Sequence, residues 1–202
     1  MNAWLLKFLM YGATIVWIAA LTLMGVGVPD GIWKPFGVVS LFVSGVLFIY
    51  ERWAWSWVPV RISSTPDLRG TWRATLDSTW VDPKTSQKIA PIEAYFTIVQ
   101  TATSLTLCML TKESRSWTLV AKLEQVDGTN QVVGVYRSDP GALVRGRSPI
   151  HYGGLRLHVG GPPTSLHGEY WTERGTKGEI TLEFSKRTLA HDFATAQALC
   201  SV

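Results

Sequence analysis

Several stretches of this 202-residue chain place hydroxyl, imidazole, phenol and guanidinium groups at every second position, as in Ser114-x-Ser116, His151-x-Gly153 and Tyr170-x-Thr172-x-Arg174. In an extended chain that spacing puts the groups on one face. Neutral donors flanking an arginine suit a polar or anionic ligand. Trp80 and Tyr136 add aromatic faces, and Arg145 and Arg147, in the run Leu143 to Pro149, add guanidiniums whose planar fork matches phosphate. Aromatic faces stack on bases, so the ligand these residues suggest is small, anionic and nucleotide-like.

Catalytic patterns are missing from the same inventory. No Ser-His-acid spacing or nucleophile elbow can be read, and no Walker loop or dinucleotide glycine motif occurs outside the apolar N-terminal third. No carboxylate falls on the face that carries the serines, so a general acid/base pair is not expected there. His158 and His167 read as cross-strand neighbours on an outer surface without a third ligand or a nearby thiol, too few for a metal. The expectation is a binding site with no catalytic residue, metal or cofactor.

These groups must be positioned by strands. Beyond Val60 the hydrophobic period becomes two, with turn residues every 8 to 12 positions. Eight strands are expected, at roughly 70–80, 92–100, 104–111, 114–123, 131–138, 150–159, 165–174 and 178–186, with an Ala-rich tail that allows one short helix. Short links favour an antiparallel up-and-down meander, and eight such strands can close into a lipocalin-like barrel that is either packed or holds one small ligand. Alternation then sorts the inward residues between the two ends. Ser78, Ser114, Ser116, Tyr136, Ser138, His151, Tyr170, Thr172 and Arg174 gather at one mouth, and Trp72, Leu105, Val159, Leu166 and Phe184 at the other, with Gln100 as the exception. Strand four assigns Val120 and then Lys122 inward unless a bulge near Ala121 resets the face. Loops bring Arg145, Arg147 and Lys177 to the polar mouth, with Trp171 as a possible further aromatic face. A merely solvated barrel end competes with a binding site at this point.

The N-terminal third obeys different rules. Residues 1–60 hold five charged side chains (Lys7, Asp30, Lys34, Glu51 and Arg52) and six of the ten Trp, whereas the remainder holds twenty-nine charges. Phe8 to Val28 is a 21-residue run without a charge, long enough at ~1.5 Å per residue to span a ~30 Å hydrocarbon layer. A turn at Pro29-Asp30-Gly31 leads to a second apolar run, Phe36 to Tyr50, and Trp53, Trp55 and Trp57 fit an interfacial belt. The run is too long for a signal peptide and ends in no small-x-small site. A retained two-helix transmembrane hairpin is expected, either a passive anchor or, through Gly12, Gly45 and other small residues, a self-associating element. Lys7 and Arg52 against Lys34 favour both ends in the cytoplasm, and two cysteines, Cys108 and Cys200, suit a reducing compartment. The organisation read is a hairpin over 1–58, a linker over 59–68, a barrel over 69–187 and a tail over 188–202.

The string Asp67 to Trp72, Ser78-Thr79-Trp80, Ile98-x-Gln100, Ser114-x-Ser116, His151-x-Gly153 and Leu166-x-Gly168-x-Tyr170-Trp171-Thr172-x-Arg174-x-Thr176-x-Gly178, following a two-span hairpin, resembles the Cap15-like effectors of bacterial CBASS anti-phage systems. The resemblance covers about residues 4–187. It implies a receptor-effector at the bacterial inner membrane. A partner synthase makes a cyclic dinucleotide, the barrel binds it, and the hairpins oligomerise and disrupt the bilayer, killing the infected cell. Carried over by motif, the pocket residues are Trp80, Ser114, Ser116, His151, Tyr170, Thr172 and Arg174, while Tyr136, Arg145 and Arg147 rest on chemistry alone. At Gly134 the family pattern implies a larger inward residue. Residues 61–187 have sixteen Lys plus Arg against twelve Asp plus Glu, a mild excess without the basic stripe of a duplex nucleic-acid binder. A membrane-tethered, lipocalin-like carrier of a small apolar ligand is the alternative, and a packed, ligand-free module a third.

Overall fold

The computed structural model describes residues 3–23, 33–58, 65–82 and 85–201. The chain divides into two compact units, Met1–Ser64 and Thr65–Val202. In the first, α1 (Ala3–Leu23) and α2 (Trp33–Arg52) are followed by a 3-10 turn, Ala54–Trp57. The helices touch where Gly12 meets Phe42, and a Cβ at Gly12 would lie 3.1 Å from the Phe42 ring, so the missing side chain is what allows the approach. The apolar run from Phe8 continues past Leu23, where the description of α1 ends, and α2 includes Lys34, Glu51 and Arg52. Among the described residues no helix is long and apolar enough to cross a membrane. The expected turn at Pro29 to Gly31 and the linker residues 59–64 lie outside the described residues.

The second unit is a closed barrel of eight antiparallel strands in sequence order: β1 (Gly70–Ser78), β2 (Ile92–Gln100), β3 (Leu105–Leu110), β4 (Ser114–Val126), β5 (Thr129–Pro140), β6 (His151–Val159), β7 (Ser165–Thr172) and β8 (Lys177–Lys186). β8 closes on β1 from Thr71↔Lys186 to Ser78↔Gly178, leaving no free edge in the ring. Two strands run longer than the sequence suggests. β4 and β5 meet in a two-residue turn at Asp127 (φ 50°) and Gly128 (φ 77°), the left-handed pair whose twist matches a tight hairpin, so pairing persists to Val126↔Thr129.

The alternation holds on seven strands and is corrected on β4. A bulge between Thr118 and Val120 resets the face one turn of the pleat earlier than Ala121. Val120, expected inside, is 67% exposed, while Ala121 and Leu123 pack on the core and Lys122 points out. The same bulge accounts for Gly134, which pairs with Ala121. A Cβ there would lie 3.1 Å from the Val120 carbonyl and 3.2 Å from the Ala121 methyl.

One end of the barrel is sealed. Leu68, Trp72, Ile98, Val132, Leu157, Leu166 and Leu182 are fully buried there, and Phe184 meets Trp72 edge to face with centroids 5.4 Å apart. Gln100, the polar exception, belongs to the seal. Its Oε1 accepts from the Leu68 amide at 2.8 Å and its Nε2 donates to the Pro66 carbonyl at 3.0 Å, pairing backbone groups that strand hydrogen bonds cannot reach. Trp72 Nε1 donates to the Leu68 carbonyl at 2.9 Å, completing the plug. Outside the ring, α3 (Phe193–Cys200), capped by Asp192, covers Tyr95 and Leu110.

Candidate ligand-binding site at the open mouth

Opposite the seal, the barrel opens into a cavity of about 660 Å³, within the range of small-molecule sites. Its floor is apolar, formed by Leu76, Phe96, Leu107, Leu155 and Ile180, and its upper wall carries the polar residues that alternation assigned to this end. Ser78, Ser116, Ser138, His151 and Thr172 are buried, as are Tyr136 and Tyr170.

Two tyrosine rings dominate the wall, and each lies across a glycine. Tyr136 on β5 pairs with Gly153 on β6, and Tyr170 on β7 with Gly178 on β8. A Cβ at Gly153 would sit 2.5 Å from the Tyr136 ring and hydroxyl, and one at Gly178 would sit 2.4 Å from the Tyr170 ring. The glycines of His151-x-Gly153 and Thr176-x-Gly178 thus make room for rings laid against the sheet, facing the cavity with their free sides. Burial, reinforced by the neighbouring Tyr170 and only partly offset by Arg174, pushes the Tyr136 phenol well above its ordinary range. It therefore keeps its proton and serves as a donor.

The hydroxyl groups are paired with one another in ways a ligand can replace. Ser116 Oγ donates to Ser138 Oγ at 3.0 Å, across the β4–β5 ladder, and the Thr172 and Thr176 hydroxyls are 3.0 Å apart. His151 Nδ1 lies 2.9 Å from the Pro149 carbonyl, which can only accept. That contact places a proton on Nδ1, so Nε2 is the ring atom that faces away from Pro149.

Charge sits on the rim. Arg174, expected at the end of a strand over 165–174, lies in the β7–β8 turn two residues past the end of β7, and donates through Nη1 to Ser148 Oγ at 3.2 Å. Arg147 reaches from the β5–β6 loop to the Glu113 carboxylate in the β3–β4 turn. The loop is held independently by backbone, since the Gly141 amide donates to the Glu113 carbonyl at 2.9 Å.

Eight of the ten sequence-derived site residues beside Arg147 and Arg174 divide as follows. Trp80, Ser114, Ser116, Tyr136, His151, Tyr170 and Thr172 line the cavity together with those two arginines. Arg145 does not. Its guanidinium is held on the Asp139 carboxylate at 2.8 Å and its Nε donates to the Pro140 carbonyl at 3.1 Å, outside the cavity. Two residues apart in one tight turn, Arg145 and Arg147 face different partners. Lys177 and Trp171 are also corrected. Lys177 is not among the lining residues, and Trp171 packs over Gly154 on the outer surface, where a Cβ would lie 2.4 Å from the indole.

Sequence reading missed Ser148, Thr176, Lys112, Glu113 and Glu93, all of which line the cavity. The last two overturn the expectation of a wall without carboxylates. Glu113 stands in a turn, where alternation does not apply, and Glu93 stands near the start of β2, hydrogen-bonded to Arg73 at 3.1 Å and to Tyr95 at 2.9 Å. For Thr176 the signal was present, two residues beyond Arg174 in the same period. His158 and His167 are cross-strand neighbours, as expected, with ring centroids 5.7 Å apart.

Comparison with known families decides what kind of barrel this is. The model of the Cap15 cyclic dinucleotide receptor domain matches residues 63–184, more than half of the chain. The chain belongs to this family. The Cap15 match begins just before the Gln100-linked plug and ends at Phe184, so it takes in β1 to β7, all but the last two residues of β8, and every lining residue named above. Among solved structures, a redesigned β-barrel is similar at 15% identity over 59% of this chain and 92% of that one, with a TM-score of 0.31, too low to carry an argument. No curated protein matches.

Proposed function

We propose that the mouth of this Cap15-family barrel binds a cyclic dinucleotide, and that binding drives self-association of the N-terminal helices and disruption of the inner membrane as an anti-phage response. The observation that carries the site is the pairing of two glycine-backed tyrosine rings with two rim arginines, Arg147 and Arg174, around one cavity of a cyclic dinucleotide receptor domain. A cyclic dinucleotide has two bases to stack and two phosphates to neutralise. The ligand is bound, not transformed, by Trp80, Ser114, Ser116, Tyr136, His151, Tyr170 and Thr172 with the arginines. Supply of the ligand falls to a cyclic-oligonucleotide synthase.

The effector step rests on the N-terminal third. The uncharged run from Phe8 to Val28 and the Trp53, Trp55 and Trp57 belt favour a cytoplasm-facing hairpin in the inner membrane. For binding to shift assembly, the ligand must prefer the assembled state. The apolar floor also suits a carrier of an apolar molecule, so the test includes both ligand classes. Calorimetric titration of the full chain in detergent is expected to give saturable binding for at least one cyclic dinucleotide and none for a fatty acid. Fatty-acid binding without nucleotide binding would overturn the proposal.

A further inference from the structure

Glu113 is the lining carboxylate that sits on a rim arginine of the mouth, where an anionic ligand must compete with it. Its carboxylate engages Arg147 at the rim, while the other charged lining groups nearby, Lys112 and Arg174, are cationic and Glu93 is held by Arg73. A device for maximal phosphate affinity would leave Arg147 unopposed. We propose that Glu113 is a specificity residue that makes the mouth prefer ligands whose phosphates are all diesters over ligands that end in a phosphomonoester.

The argument rests on the cyclic dinucleotide reading and on charge per phosphate. A ring-closing phosphodiester carries one negative charge, and its approach exchanges one anion for another on the Arg147 fork. A terminal phosphomonoester carries close to two. The carboxylate, displaced from the guanidinium but still beside it, then repels the extra charge, and repulsion of the competitor is how closely related ligands are separated. One unit charge about 4 Å from another in a water-like rim amounts to roughly a fivefold change in binding. The side chain does this without holding the loop, because the loop hangs on the Glu113 backbone carbonyl. Arg174, whose neighbour is the Ser148 hydroxyl, supplies attraction that does not distinguish the two phosphate types.

The test is titration of the full-length wild type, Glu113→Gln and Glu113→Ala with a cyclic dinucleotide and with its linear 5′-phosphorylated counterpart. The wild type is expected to prefer the cyclic form. Both variants are expected to shrink that preference by about fivefold, mainly through tighter binding of the linear form, and the shrinkage is expected to fade as salt shortens the Debye length from ~10 Å to ~3 Å. An unchanged cyclic-to-linear ratio, or an equal gain for both ligands, would overturn the role of Glu113 while leaving the site intact. Failure of the wild type to bind any cyclic dinucleotide would instead remove the underlying reading, and the inference with it.

Discussion

Replacing Gly178 by alanine asks whether the tyrosine wall is built on its glycines. The new Cβ would lie 2.4 Å from Tyr170 Cε1, 2.9 Å from Cζ and 2.4 Å from the Asp77 carbonyl. The ring has somewhere to go, into the cavity. The carbonyl does not, because Asp77 pairs with Glu179 in the β1–β8 seam that closes the barrel. One forced contact is therefore relieved by moving Tyr170 and the other by distorting the seam. Overpacking of this kind costs about 1–3 kcal/mol. For a chain of this size each kcal/mol lowers the melting temperature by roughly 2–4 °C, so the barrel transition is expected to fall by about 2–12 °C. Thermal unfolding followed by near-UV circular dichroism reads that shift, and titration of the same sample reads the accompanying loss of cyclic dinucleotide affinity. Gly161→Ala is the control, since nothing lies within 4 Å of a Cβ there. A melting temperature and an affinity for Gly178→Ala that both match the control would refute the packing argument.

Other consequences follow from the sealed end. Gln100→Ala leaves the Leu68 amide and the Pro66 carbonyl without partners in a buried site, at about 1–3 kcal/mol per group, and denaturant unfolding should show a destabilisation of that order with ligand affinity retained in the folded fraction. Asp67 is subject to burial, which raises its carboxyl pKa, but hydrogen bonds from Arg69 and the charges of Arg187 and Arg69 outweigh this and hold it below its ordinary value. A depressed carboxyl stabilises the fold above the unfolded-state pKa of ~3.9 and loses that contribution as pH falls below it towards the folded value. Asp67→Asn should therefore flatten the acid limb of the stability profile measured by urea unfolding below about pH 4, and an unchanged acid limb would contradict the assignment.

The barrel was legible because its wall obeys one rule. Inward residues such as Phe96, Leu107, Leu157 and Leu182 alternate with outward ones, and register follows from the face that must be buried. That rule also carried Ser116, Tyr136, His151 and Thr172 to one mouth without any motif. It failed where one residue breaks the period. Neither hydropathy nor turn chemistry distinguishes a bulge at Leu119 from one at Ala121, because Leu119, Val120 and Ala121 are all apolar. It was silent where no period exists. Arg145 and Arg147 differ in role because one folds back on Asp139, six residues earlier, while the other finds Glu113, 34 residues away in the β3–β4 turn. The role of Gln100 was hidden for a related reason. Its partners lie in the irregular residues before β1, where backbone groups lack strand pairing and sequence offers no register.

The site claim stands most directly on Arg174. The residue is exposed and hydrogen-bonds the Ser148 hydroxyl, so Arg174→Ala should leave the barrel's melting temperature within about 1 °C of wild type. Losing a charge-assisted contact to phosphate, worth roughly 1.5–3 kcal/mol, should weaken cyclic dinucleotide binding by about 10- to 100-fold in calorimetric titration of the full chain. An affinity equal to wild type in a folded Arg174→Ala protein would contradict the placement of the ligand at this mouth.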